Sequence, residues 1–508
     1  MRLVRSLALL ALSIGSFAML AFPSTDVVPA AAAAAASGMP ATSLQALIDA
    51  AEPGTTVLVP AGTYQGQVHI DEPLTLQGQG RPLLDGMGLG SVLHITAPDV
   101  TVSGFMIHGS GDGPIGTPSG IMVENADRTH IDDVTVMQSY IGITVRASAD
   151  VLIEHCHIYG LPDAAIVGET HAVDTAPPNS MSDMPGMSGG DATQQSNIQI
   201  RGDGIWMWNT TTSMVRDTFI QNVRDGIYLT YGVHPILQDN RVLNSRYAVH
   251  DMNATDLEIQ GNTFSGNLSG LVLMYGGPVN VRQNTIVESG SPSTGFGVLV
   301  KDVGTTLVEE NVIADNRVGL HLDNAGRTTG TGLLLTGNTI AMNQIGMMLY
   351  PSTVATFTRN SFVENSTQVT LGGQGTTQSV WDPGDVGNYW SDYGGYDANH
   401  DGVGDLPYTQ SGRMSRLMEE NPYLLALSSG PAFRLLSAVE DKWSPARALV
   451  TDNHPSMNSG AARLSAGRSG NSVALWLPGA VLTLTCGIFL ARARRPRRGK
   501  RNGVPAHA

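Results

Sequence analysis

The chain has 508 residues, of which 14% are charged and 59 are glycine, and its formal net charge is −15 at pH 7. Residues 37–491 hold 43 acidic and 20 basic side chains, a balance of about −23 that repels phosphate, excludes a nucleic-acid partner and favours cations. Only Cys156 and Cys486 are present, and the second lies in an apolar run, so no internal disulfide is expected to hold the fold.

At the start, Arg2 and Arg5 precede an apolar core from Leu7 to Phe22 and an alanine-rich stretch, so residues 1–36 read as a signal peptide and the rest as exported. Ser43 to Ala51 has helical spacing. It predicts a short helix that covers the open end of a stack of coils, the first of which begins with Gly54 to Gly62.

From there a period dominates. Small residues that open alternating apolar runs stand at Gly204, Gly226, Ala248, Gly270, Gly297, Gly319 and Gly346, at spacings of 22, 22, 22, 27, 22 and 27, and Gly120 and Gly142 carry the period upstream. A repeat of this length built from short strands predicts an all-β solenoid, a right-handed single-stranded parallel β-helix over residues 37–412. Alternation puts Leu271 and Leu273 on one face and Val272 and Met274 on the other. The recurring turns predict an internal ladder of Asn262, Asn311, Asn338 and Asn360, since asparagine tolerates left-handed backbone and its amide can bond the next turn. Cys156 falls at a ladder position between His155 and His157. Because neighbours on a strand face opposite ways, a buried structural thiol is the expectation there rather than a metal site.

Residues 168–198 break the period and read as an inserted loop rich in methionine. Beyond the coils, residues 387–408 read as a cap, 413–440 as a capping helical segment and 441–472 as a linker. The uncharged run 473–491 has the length of one transmembrane helix, and 492–508 is a basic tail expected to stay cytoplasmic. A helix buried in the core is the alternative for 473–491.

Three constellations could carry chemistry. On the outward face of the central coils, His250, Met252 and Met274 come together beside Trp206, Trp208 and Tyr228. Imidazole and thioether ligands suit copper, above all the cuprous ion; the same strip could equally be a protein-docking surface. In the inserted loop, Met181, Met184 and Met187 repeat at every third residue and present the same soft donors, unless their spacing is incidental. Asp397, Asn399, Asp401 and Asp405 follow the front half of a calcium loop with Gly402 at the sharp turn. Tyr408 stands where the closing glutamate would be, so the choice is between a calcium site and an Asx-rich turn.

Several segments together resemble the NosD family of nitrous-oxide reductase maturation proteins: Arg246 to Met252, Gly270 to Tyr275, Gly297 to Asp302, and above all Gly387 to Asp397 leading into Asp401 to Tyr408. The resemblance runs from about Leu44 to Val439. It implies an extracytoplasmic, copper-binding β-helix without catalysis of its own. Such a protein would work with ABC-type transporter subunits and a copper chaperone to assemble the copper centre of nitrous-oxide reductase. On this reading the cap near Tyr389 to Tyr408, with Tyr389, Trp390 and Tyr393 as its partner-binding residues, is expected to engage the transporter side. The anchor, the methionine-rich insertion and Asp251, where relatives commonly have tyrosine, depart from the family pattern. Two rival functions stand beside this one: a polysaccharide-binding or polysaccharide-cleaving β-helix, and a purely structural solenoid. Asp323 and Lys301 are the only charged residues on the outward positions of the central coils, a poor acid/base set.

Overall fold

The computed structural model describes residues 39–113, 116–160, 201–291, 294–326, 332–373, 375–384, 386–411 and 448–460. The signal peptide, the inserted loop with Met181, Met184 and Met187, the 413–440 segment, the apolar run 473–491 and the basic tail lie outside the described residues. Among the described residues no helix is long and apolar enough to cross a membrane.

Strands succeed one another around three parallel walls, so that each pairs with the strand one coil away. Among the described residues, the first wall has 14 strands, from Met39–Pro40 to Tyr389–Trp390. The second and third have 12 each, from Thr56–Val59 to Ala355–Thr358 and from Val68–Ile70 to Thr367–Leu371. The predicted parallel solenoid is present. Val249 pairs with Leu271 and Leu271 with Val298, and all three are fully buried. Each such side chain is stabilised by roughly 1.5–3 kcal/mol on burial. The small residue opening each run answers a close approach: a Cβ on Gly270 would meet the carbonyl oxygen of Gly297 at 2.4 Å.

The helix expected near Ser43 spans Ala41–Asp49 and buries Leu44 and Ile48 on the first coil. The asparagine ladder is longer than expected, running through Asn240, Asn262, Asn284, Asn311, Asn338, Asn360 and Asn388. Asn262 shows the unit: its backbone N–H and its Nδ2 both donate to Asn284 Oδ1 at 2.9 Å, and Nδ2 also donates to Leu237 O at 2.9 Å. The residue before each of the first six turns the chain with positive φ, 54° at Asp239 and 53° at Glu310. Cys156 occupies the ladder position of an earlier coil, where its thiol donates to Glu154 O at 3.2 Å; burial pushes that thiol up to about 12, while His155 and His157 are exposed.

The far end differs from expectation. Part of the stretch expected as linker is strand: Ala448–Asp452 pairs antiparallel with Tyr408–Ser411. Asp452 then ends the ladder, accepting from the backbone N–H of Asn388 at 2.7 Å and from Trp390 Nε1 at 2.9 Å. A solenoid must terminate its unpaired backbone and apolar interior. Here Phe362, Trp390 and Tyr408 stack at 4.3 Å centroid spacings to close it.

Candidate functional site

Parallel register turns residues far apart in sequence into lateral neighbours on the third wall. One outward column runs Thr144, Trp206, Tyr228, His250, Val272, Leu299, His321, Met348. The next runs Arg146, Trp208, Thr230, Met252, Met274, Lys301, Asp323. Met252 and Met274 are therefore direct partners, and His250 is two residues before Met252 on the same face.

This part of the wall is not an open strip. His250 and Met274 are buried, Val272 and Leu299 are fully enclosed, and Met252 is half-buried. The cause is a second apolar cluster in which Tyr247, Phe296, Val318 and Ile345, all from strand starts or the turn before them, pack with Val272, Met274 and Leu299. Toward the N-terminal coils the surface opens, with Trp206 and Tyr228 half-buried and Trp208 exposed. Tyr228 stacks on His250 at 4.7 Å, and its hydroxyl donates to Met252 Sδ at 3.5 Å.

Sequence reasoning missed what holds His250. Asp225, fully buried, takes a two-pronged pair from Arg246, Nε to Oδ1 at 2.8 Å and Nη2 to Oδ2 at 2.6 Å, and its Oδ2 also lies 2.9 Å from His250 Nδ1. One coil earlier Asp203 and Arg224 repeat the pair. Burial alone would raise the Asp225 carboxyl; Arg246 and His250 outweigh it and hold the group well below the usual carboxylate range. A carboxylate can only accept, so Nδ1 carries a proton, and in the neutral ring the lone pair falls on Nε2, which is buried without a hydrogen-bond partner. An imidazole oriented by a carboxylate, on the strand face that also carries the register partners Met252 and Met274, has the donor chemistry of a soft-metal site. The signal was available: an arginine precedes, by two residues, the small residue that opens the coil following each aspartate.

The other expected site residues divide. Trp390 was expected to bind a partner, but it is 1% exposed in the end stack, so its role is structural. Tyr389 and Tyr393 are half-buried, and Tyr393 donates its hydroxyl to Leu406 O at 2.6 Å. In the aspartate loop the oxygens are turned to backbone donors. Asp397 accepts from the N–H groups of His400 and Gly402, Asp401 from Val403 and Asp405 from Ala398. The arrangement is that of an Asx-rich turn, and Tyr408 is drawn into the core stack.

On the second wall, His130, Asp132 and Glu154 form a group of metal-ligand types that the sequence pattern did not single out. His130 Nε2 lies 2.7 Å from Glu154 Oε1, His155 Nδ1 lies 2.8 Å from Asp132 Oδ1, and Arg216 Nε donates to Glu154 Oε2 at 2.6 Å. Burial would raise Glu154; the Arg216 and His130 bonds overcome it and keep the carboxyl ionised below its ordinary range. The guanidinium already supplies the cation.

A family model described as "Periplasmic copper-binding protein (NosD)" matches residues 186–395, the coils that carry Asp225, His250, Met252 and Met274. Two relatives are named "Probable ABC transporter binding protein NosD". That of Stutzerimonas stutzeri is 27% identical over 412 residues, covering 78% of this chain and 86% of the relative; that of Pseudomonas aeruginosa is 25% identical over 435 residues, covering 79% and 88%. Among solved structures, an α-1,3-glucanase catalytic unit from Streptomyces thermodiastaticus aligns at a TM-score of 0.45 and 13% identity over 70% of this chain and 69% of that one. The family model and the two relatives agree with the sequence motifs: the chain is similar to NosD proteins over about four fifths of its length.

Proposed function

We propose that this chain is an exported accessory factor in maturation of the copper centre of nitrous-oxide reductase. It would bind cuprous ion on its third wall and work with an ABC-type transporter and a copper chaperone. The observation that carries the reading is the oriented imidazole: Asp225 fixes Nδ1 of His250, leaving a buried Nε2 without a partner on the strand face that carries the register partners Met252 and Met274, within the segment that the family model matches. Trp206, Trp208 and Tyr228 then form the docking approach to that site. Exposed Tyr396 and Leu406, with half-buried Tyr389 and Tyr393, give the cap a face for the transporter. The mature chain is extracytoplasmic and held to the membrane by residues 473–491. Met181, Met184 and Met187 serve as a second set of soft donors that delivers the ion. The role proposed is not catalytic: the acids clustered on the second wall, Asp132 and Glu154, are committed to His155, His130 and Arg216.

Titration of the purified full-length protein with Cu(I) against a chromogenic chelator tests this. The Met252→Leu, Met274→Leu variant keeps side-chain volume and should lose about one equivalent of tightly held copper. Unchanged stoichiometry and affinity would remove the site.

A further inference from the structure

The outward column that carries His250 continues toward the N-terminus of the solenoid, where register pairs His69 with His94 and His94 with Met122. The two imidazoles are 5.3 Å apart between ring centroids. They and Met122 border a cavity of about 340 Å³ whose wall also includes Glu124 and Arg146. The three donors sit on successive strands of one column, near 4.8 Å between neighbours and about twice that from His69 to Met122, a span that rotation of long side chains can close onto one ion.

The state of each donor is set by its neighbours. His69 Nε2 and Thr96 Oγ1 lie 2.9 Å apart, a hydrogen bond whose donor depends on the tautomer of the ring. The buried Nε2 of His94 is in electrostatic contact with Glu124 Oε2, 3.4 Å away. Met122 is 5% exposed, so its thioether is shielded from water. Glu124 in turn lies 3.6 Å from Arg146 Nη1, and the two charges offset each other.

The geometry points to a second cuprous site in this cavity, with His69, His94 and Met122 as ligands. Two imidazoles and a thioether form a soft to borderline set that selects Cu(I) over hard divalent ions. The neutral Glu124–Arg146 surround favours a monovalent ion over a divalent one. From Met122 to His250 the column takes four strand steps, about 19 Å, so both sites lie on one wall of the molecule. The proposal rests on the copper-handling reading for the choice of ion, but uses none of that site's residues.

The test is Cu(I) titration of the full-length protein, its His94→Gln, Met122→Leu variant and its Met252→Leu, Met274→Leu variant, with thermal melts to confirm that each is folded. Loss of one equivalent from each variant supports both sites. If the first variant binds copper as the wild type does, the cavity site is overturned, whatever the second variant does. If only the first loses an equivalent, the cavity site stands and the central site falls. If the wild type takes no Cu(I) from the chelator, both fall. His69 is exposed, so His69→Gln serves as a variant unable to disturb the core; it should weaken copper binding at the cavity at least about tenfold, and unchanged affinity counts against the site.

Discussion

Asp251 shows how much one side chain can set the behaviour of a coil. It lies in an inward column between Leu229 and Leu273, fully buried, with Oδ1 accepting from Ala254 N–H at 3.0 Å and Oδ2 without a partner. Burial pushes its carboxyl up to about 7. An unfolded aspartate titrates near 3.9, so between about pH 4 and pH 7 the folded chain holds a proton that the unfolded chain has lost. Stability therefore falls as pH rises through this window, by about 1.4 kcal/mol per unit and roughly 4 kcal/mol in all. Asp251→Asn removes the ionisation, so the variant should be more stable than the wild type at pH 8 in denaturant unfolding and show a flatter profile from pH 5 to 8. Equal wild-type stability at pH 5 and 8 would contradict this. Alternation of the strand places residue 251 inward with Val249, but a pattern of faces cannot tell whether an inward carboxylate is ionised, because that depends on what surrounds it.

At the scale of the element, the ladder was legible where the turns repeat and illegible where it ends. Asn262, Asn311, Asn338 and Asn360 announce themselves by spacing, and the structure stacks them. The terminating Asp452 stands 64 residues after Asn388 and belongs to no repeat, so nothing periodic points to it. The same limit hid Trp390: a motif rich in aromatics gives no sign of whether its rings face a partner or close the end of a core. Asn311→Ala tests the ladder itself. It leaves the buried N–H of Asn284 without its acceptor and takes one bond from Asn284 Nδ2, at a cost of about 2–4 kcal/mol in unfolding free energy. A loss under about 0.5 kcal/mol would show the amides to be spectators.

For the whole molecule, the decisive fact is that the coils lie in register, which converts a one-dimensional period into columns of neighbours. From Gly204 onward the spacing alone foretold the partners of Met252. Upstream it failed because the insertion sets Trp206 62 residues after Thr144, although the two are adjacent strand partners. His69, His94 and Met122 thus belong to a column whose continuity only coordinates reveal. The Asp225–Arg246–His250 linkage needed coordinates for another reason, since it joins the start of one strand to the middle of the next. X-ray absorption at the copper edge of the full-length protein loaded with Cu(I) tests the central claim, that this wall is a soft-metal surface, most directly. The expected result is a coordination sphere of mixed imidazole nitrogen and thioether sulfur, with the sulfur contribution reduced in the Met122→Leu, Met252→Leu, Met274→Leu variant. A shell of oxygen and nitrogen alone, or sulfur undiminished in that variant, would contradict it.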